Sequence, residues 1–281
     1  MNILVHGATG AQGGPVAAKL IELGHTVTAG VRNPQAYSAG NAIALDLDDV
    51  STLTKAYEDV DGVFVHLPLG SPEQLQTWAK TIAIAIGSAR PARVVVSSSG
   101  YPVDFTAEHP SAIVTLLRGL EGSGVSTAVV APRLYLENLL APHIVGAVRT
   151  DGVLRYPLRE DYAVSWSSHL DVADVAAGLF ADTDITGVID LGALPGLVGA
   201  DLARSFGEHL GREVRFEAQS PAEMGAEMAV LIGEEAIKPV VAMYTHRLTQ
   251  PSDVIDESTS AQKRLGIAPR SVSQWLADMG V

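Results

Sequence analysis

The sequence contains no cysteine. This excludes disulfides, cysteine-ligated zinc, iron–sulfur clusters and thiol catalysis. No apolar run approaches the eighteen or more residues of a membrane span. The N-terminus carries no basic segment before its first apolar run, which is too short for a signal peptide. Basic residues are scarce: 19 Lys and Arg stand against 32 Asp and Glu, a net charge of −13. That balance argues against nucleic acid or an anionic membrane as a direct partner. The eight histidines are scattered, with no H-x-H or H-E-x-x-H pair, so no metal site is expected. No Gly-x-Ser-x-Gly elbow is present for hydrolase chemistry. Repeats, low-complexity tracts and long linkers are also missing. A cytoplasmic protein acting on a small molecule is the expectation.

What is present is an ordinary globular composition, 47% apolar and 18% charged over 281 residues. The organising stretch is at the start. Asn2 to Val5 reads as a buried strand, and Gly7, Gly10 and Gly13 follow at a spacing of three. Val16, Ala17, Leu20, Ile21 and Leu23 then recur with helical period up to Gly24, and Thr26 to Val31 reads as a second strand. Strand, glycine turn, helix and strand make a βαβ unit with a phosphate site built in. A pyrophosphate must approach backbone N–H groups at a helix N-terminus, so side chains there must be small. Gly7 permits the tight turn, Gly10 the close approach, and Gly13 the packing of helix on strand. Thr9, Ala11 and Gln12 complete the loop that would hold the dinucleotide.

The end of the second strand bears on which dinucleotide. An NAD site usually places Asp or Glu there to bind the ribose 2′-hydroxyl. Here Arg32 follows Gly30 and Val31, with no acid. A guanidinium can hold a 2′-phosphate by charge-assisted hydrogen bonds. NADP(H) is therefore expected over NAD(H).

Further strands are expected at Ala42–Leu45, Val63–Leu67, Arg93–Ser97 and Val125–Val130, alternating with helices near 51–58, 71–88 and 111–121. Six strands in alternation imply an α/β fold with a doubly wound parallel sheet. Ligands bind beyond the carboxyl ends of such strands. The strand ends add Asp46, Leu47, Leu67, Pro68 and Ser97 to the cofactor-binding candidates. His66, one residue inside its strand, is a packed histidine or a wall of the substrate pocket. After Pro132 the alternation breaks. Leu136–Val148 reads as helical with Pro142 as an interruption or a new start, and Tyr162–Trp166 as strand-like. Asp171 reads as the cap of a helix over Val172–Phe180, and Met224–Met243 as an adaptable apolar wall. Residues 1–150 are expected to form the nucleotide-binding domain and 151–281 a smaller, interleaved substrate lobe.

The segments GATGAQGG (Gly7–Gly14), VRNP (Val31–Pro34), VVVSSSG (Val94–Gly100), APRLYLENLL (Ala131–Leu140), HLDVADVAAG (His169–Gly178) and RLGIAPRSVSQWL (Arg264–Leu276) resemble the NmrA-like atypical short-chain dehydrogenase/reductases. The resemblance implies a Rossmann domain with a smaller α+β substrate lobe and NADP as the usual ligand. It also implies that Tyr135 and Asn138 line the substrate mouth. The family it points to includes quinone and other small-molecule reductases, and non-catalytic NADP sensors that regulate protein partners. Typical enzymes of the superfamily use Tyr-x-x-x-Lys as their proton-donating pair. None of the seven tyrosines here has a lysine four residues on. What remains is hydride transfer with little proton help, for which Ser98 or Ser99, Tyr101 and His109 are the candidate polar groups. Two readings stay open: an oxidoreductase passing a hydride to a small apolar carbonyl or quinone, and a redox sensor without turnover.

Overall fold

A computed structural model describes residues 1–101 and 103–281, with the side chains of Leu231 and Ile232 left out. The expected βαβ unit is β1 (Asn2–His6), α1 (Gly13–Glu22) and β2 (Thr26–Val31). It is followed by β3 (Asn41–Ala44), α2 (Val50–Glu58), β4 (Gly62–Val65), α3 (Pro72–Ala89), β5 (Arg93–Ser97), α4 (Ala112–Leu120) and β6 (Ser126–Pro132). Then come β7 (Leu134–Tyr135), α5 (Pro142–Asp151), β8 (Val153–Tyr156), β9 (Trp166–Ser167), α6 (His169–Ala181) and β10 (Gly187–Leu191). The chain closes with α7 (Gly199–Leu210), β11 (Arg215–Ala218), α8 (Pro221–Ile232), α9 (Glu234–Arg247), α10 (Ala261–Leu265) and α11 (Val272–Met279).

The chain forms two compact units. The first comprises Met1–Pro132, His169–Leu191 and Ser258–Ile267. The second comprises Arg133–Ser168, Gly192–Glu257 and Ala268–Val281. Residues 133–150, grouped by the sequence with the nucleotide-binding half, pack in the second unit. The first unit holds a seven-stranded parallel sheet in the order β10-β6-β5-β4-β1-β2-β3. Strand β10, which the sequence also marks as a strand, joins the six as the seventh of this sheet. Its place beside β6 brings α6 back over the sheet by the same crossover rule as the others. The direction of winding reverses between β1 and β4, which makes their carboxyl ends the switch point of the sheet.

Local chemistry explains most boundaries. Ser71 accepts from Gln74 N while the Gln74 side chain accepts from Ser71 N, a capping box with Pro72 in the first turn. Ser220 and Glu223 repeat it at α8. Leu4, Val63, Val65, Val94 and Val96 bury one face of the sheet against Leu53, Tyr57, Ile82, Ile86 and Leu116 of α2, α3 and α4.

Two expectations are corrected, for Asp171 and for the segment 162–166. Asp171 does not cap a helix that starts after it. Helix α6 begins at His169, and Asp171 lies buried within its first turn, where a carboxylate still complements the helix dipole. Leu136–Val148 is helical as expected, a 3₁₀ turn at Leu136–Leu140 followed by α5, with Pro142 as the new start. Only Trp166–Ser167 of the segment 162–166 and its edge is strand, with Val164 in isolated bridges. The Met224–Met243 segment falls on α8 and α9, which are separated at Gly233 with φ +90°.

Candidate functional site

The glycine loop lies at the switch point of the first unit. Gly7 has φ +59°, and its N–H donates to Gly30 O at 2.7 Å, tying the turn to β2. Gly10 N donates back to Gly7 O at 2.7 Å. A Cβ on residue 13 would lie 2.4 Å from both Gly7 O and His6 O, so only glycine lets α1 start this close to β1. Thr9, Gly10 and Ala11 form the exposed tip, and Gln12 turns inward. The first turn of α1 has neither a side-chain cap nor an acid, whereas α2, α3, α4, α8 and α11 are each capped by Asp or Ser. Its first turn and dipole therefore meet an exposed loop with no capping side chain. That geometry fits a dinucleotide pyrophosphate.

Arg32 is exposed at the end of β2, and no acidic side chain pairs with it among the described residues. Asp46 is exposed and turns its carboxylate onto Asp48 N at 3.0 Å, while Leu47 is half-buried. Leu67 is buried and Pro68 half-buried after β4, with Leu69 95% exposed beyond them. After β5, Ser97 and Ser98 are fully buried. Ser97 Oγ accepts from Ser99 N at 3.2 Å. Ser98 Oγ has no hydrogen-bond partner among the described residues. Tyr101 is 45% exposed, and His109 is exposed in the approach to α4. All these residues belong to the first unit. Tyr135 and Asn138 belong to the second. There Tyr135 pairs with Ser167 in the β7–β9 ladder, and Asn138 lies in the 3₁₀ turn Leu136–Leu140.

Two features of the first unit were not legible in the sequence. Ser99, a non-glycine residue, adopts φ +54°, and its hydroxyl accepts from Gln12 Nε2 at 3.3 Å. This bond crosses from the glycine loop to the loop after β5. A strained residue at a strand end is a recurrent feature of binding sites. The second feature is a group of three imidazoles. His6 Nε2 lies 2.8 Å from the Tyr57 hydroxyl, and burial together with His66 brings its pKa down to about 3. Burial also lowers His66. Burial and His66 lower His169 to about 4. With their pKa values lowered, these imidazoles are neutral at pH 7. No group of His, Asp or Glu among the described residues could hold a metal ion. No helix among them is long and apolar enough to cross a membrane.

The profile of the NmrA-like family matches residues 1–276. No curated protein matches the sequence. Among solved structures, the triphenylmethane reductase of Citrobacter sp. complexed with NADP(H) superposes with a TM-score of 0.81 at 17% identity, covering 99% of each chain. The NADPH-dependent quinone oxidoreductase of Escherichia coli complexed with NADPH has a TM-score of 0.74 at 18% identity, covering 100% of each. A nucleoside-diphosphate-sugar epimerase of Staphylococcus aureus has a TM-score of 0.77 at 19% identity, covering 98% of this chain and 99% of that one. At these identities the likeness is one of fold.

Proposed function

The chain belongs to the NmrA-like family, and from that premise we propose that it is a cytoplasmic NADP(H)-dependent oxidoreductase acting on a small apolar carbonyl or quinone. The observation that carries the reading is the uncapped first turn of α1 beneath the exposed Thr9–Ala11 tip, with Arg32 unopposed at the end of β2. The backbone of Gly10–Gly13 would hold the pyrophosphate, and Arg32 the 2′-phosphate that separates NADP from NAD. Asp46, Leu47, Leu67, Pro68 and Ser97 would line the rest of the dinucleotide path. When bound, NADPH supplies a hydride equivalent. Tyr101 and His109 are the reachable donors for the proton that the reduced acceptor takes up. Ser98, fully buried, contributes through its hydroxyl to the shape of the strand end rather than as a solvent-reached acid. Two of the structurally similar proteins are reductases solved with the same dinucleotide, which supports the reading.

A second reading rests on a separate observation. With no Tyr-x-x-x-Lys pair, the same dinucleotide site would also serve a redox sensor acting on a protein partner. Calorimetric titration with NADPH and NADH, followed by NADPH oxidation over a quinone and ketone panel, separates the two. Tight NADPH binding with turnover is expected. Tight binding without turnover on any acceptor would favour the sensor, and no binding of either dinucleotide would remove both readings.

A further inference from the structure

The second unit contains a two-stranded parallel sheet, β8 with β11, and β11 has an open edge. Register decides which backbone groups face outward. Arg215 pairs with Val153 and Glu217 with Arg155, and the flanking bonds run from Arg215 N to Gly152 O at 2.9 Å and from Gln219 N to Tyr156 O at 3.0 Å. In a parallel ladder alternate residues point to the same neighbour, so residues 215, 217 and 219 bond β8. Residues 214, 216 and 218 point away from it. Among the described residues, the N–H and C=O of Phe216 and Ala218 have no hydrogen-bond partner.

The side chains along this edge alternate as well. The Phe216 ring lies against α7, where a Cβ on Gly199 would meet it at 2.4 Å. Arg215 and Glu217 alternate with Phe216 to the opposite side, where Glu217 is paired with Arg155 Nε at 2.8 Å and with Arg215 of its own strand. A cavity of about 500 Å³ lies beside the strand, its lining mixing Ala203, Val214 and Phe216 with the charged Glu160, Arg204 and Arg215.

We propose that this edge pairs with β11 of a second copy of the chain, antiparallel about a two-fold axis at Phe216. In that register Phe216 faces Phe216 of the second copy, and residue 214 faces 218. These are the residues whose backbone groups point outward, so each forms a close, doubly hydrogen-bonded pair. Arg215 then lies opposite Glu217 of the second copy, and Glu217 opposite its Arg215. Opposite charges stand directly across the ladder on both sides of the axis. The apolar side chains of the incoming strand lie on the α7 side of the ladder. A charged edge normally discourages pairing. Here Arg-Phe-Glu is complementary to itself when reversed, so the charges select the antiparallel copy.

A four-residue edge makes a small interface, so sedimentation velocity of the full chain is run from about 1 to 300 µM. The wild type is expected to shift from monomer to dimer across this range. Ala218→Pro removes an N–H that β8 does not use, and is expected to abolish dimerisation with an unchanged circular dichroism spectrum. Glu217→Arg places like charges across the ladder and should raise the dimer dissociation constant at least tenfold. Adding Arg215→Glu to it restores opposite charges and should restore the dimer. A wild type monomeric throughout, or a dimer indifferent to these substitutions, would overturn the proposal. If Ala218→Pro does not fold, the loss and recovery across the two charge variants decides.

Discussion

His66 Nε2 lies 2.6 Å from the point where a Cβ on residue 7 would sit. A side chain on the end of β4 thus fills the space that the glycine turn after β1 leaves empty. The same nitrogen is buried without a hydrogen-bond partner among the described residues. Residue 7 is therefore constrained twice, by its left-handed backbone and by the imidazole above it.

Gly7→Ala should accordingly destabilise the first unit by about 1–2 kcal/mol from the left-handed backbone alone, with the imidazole clash added. It should weaken NADPH and NADH equally, because the turn serves the pyrophosphate common to both. Adding His66→Ala should recover part of the loss in melting temperature. No recovery in the double variant would show that the imidazole does not set the turn.

Arg32→Ala should weaken NADPH far more than NADH, by the roughly 1.5–3 kcal/mol of a charge-assisted contact. Titration calorimetry with both dinucleotides reads the difference directly. An equal loss would remove Arg32 from the 2′-phosphate.

Acid should unfold the first unit through its histidines. His6 is held at about 3 and His169 at about 4, against an ordinary 6.5, and His66 is lowered too. Above 6.5 neither folded nor unfolded chain protonates them, and their contribution is intact. Below it the unfolded chain takes up protons that the folded one refuses, so stability falls with pH until the folded values are reached. His6 alone would cost about 2–3 kcal/mol at about pH 4.5. Calorimetric melting between pH 4 and 7.5 should show this slope, and His6→Phe with Tyr57→Phe should flatten it. An unchanged slope in that variant would assign the acid sensitivity elsewhere.

Arg93 is fully buried and donates to the carbonyls of Leu179, Thr183 and Ile185, the last at 2.6 Å, and to Ser126 Oγ at 2.7 Å. It closes the carboxyl end of α6 and the turn before β10. Arg93→Leu strands those carbonyls and should cost about 3 kcal/mol or more. Thermal melting should fall by several degrees, with dinucleotide affinity little changed in the protein that remains folded. A melting temperature near the wild type would show that water replaces the guanidinium.

The sequence determined by itself whatever depends on neighbours a few residues apart. The Gly7–Gly13 turn, the capping boxes at Ser71 and Ser220 and the apolar strands at Val63 and Val94 are written in local steric and hydrogen-bonding preferences. The family could be recognised from the same segments. The start of α6 was misplaced by three residues because a carboxylate such as Asp171 suits a cap and a first helical turn alike, and only packing chooses between them. The tertiary structure alone decided what joins distant parts of the chain. It brought His66 over Gly7, bonded Gln12 to the strained Ser99, buried Arg93 under α6, and returned residues 169–191 to the first unit, with β10 as the seventh strand of its sheet. It also decided that β11 is an edge, since whether a strand's outer backbone groups are paired depends on what the rest of the chain lays beside it. These outcomes rest on long-range contacts, whose gain appears only once the chain has closed the loops between them.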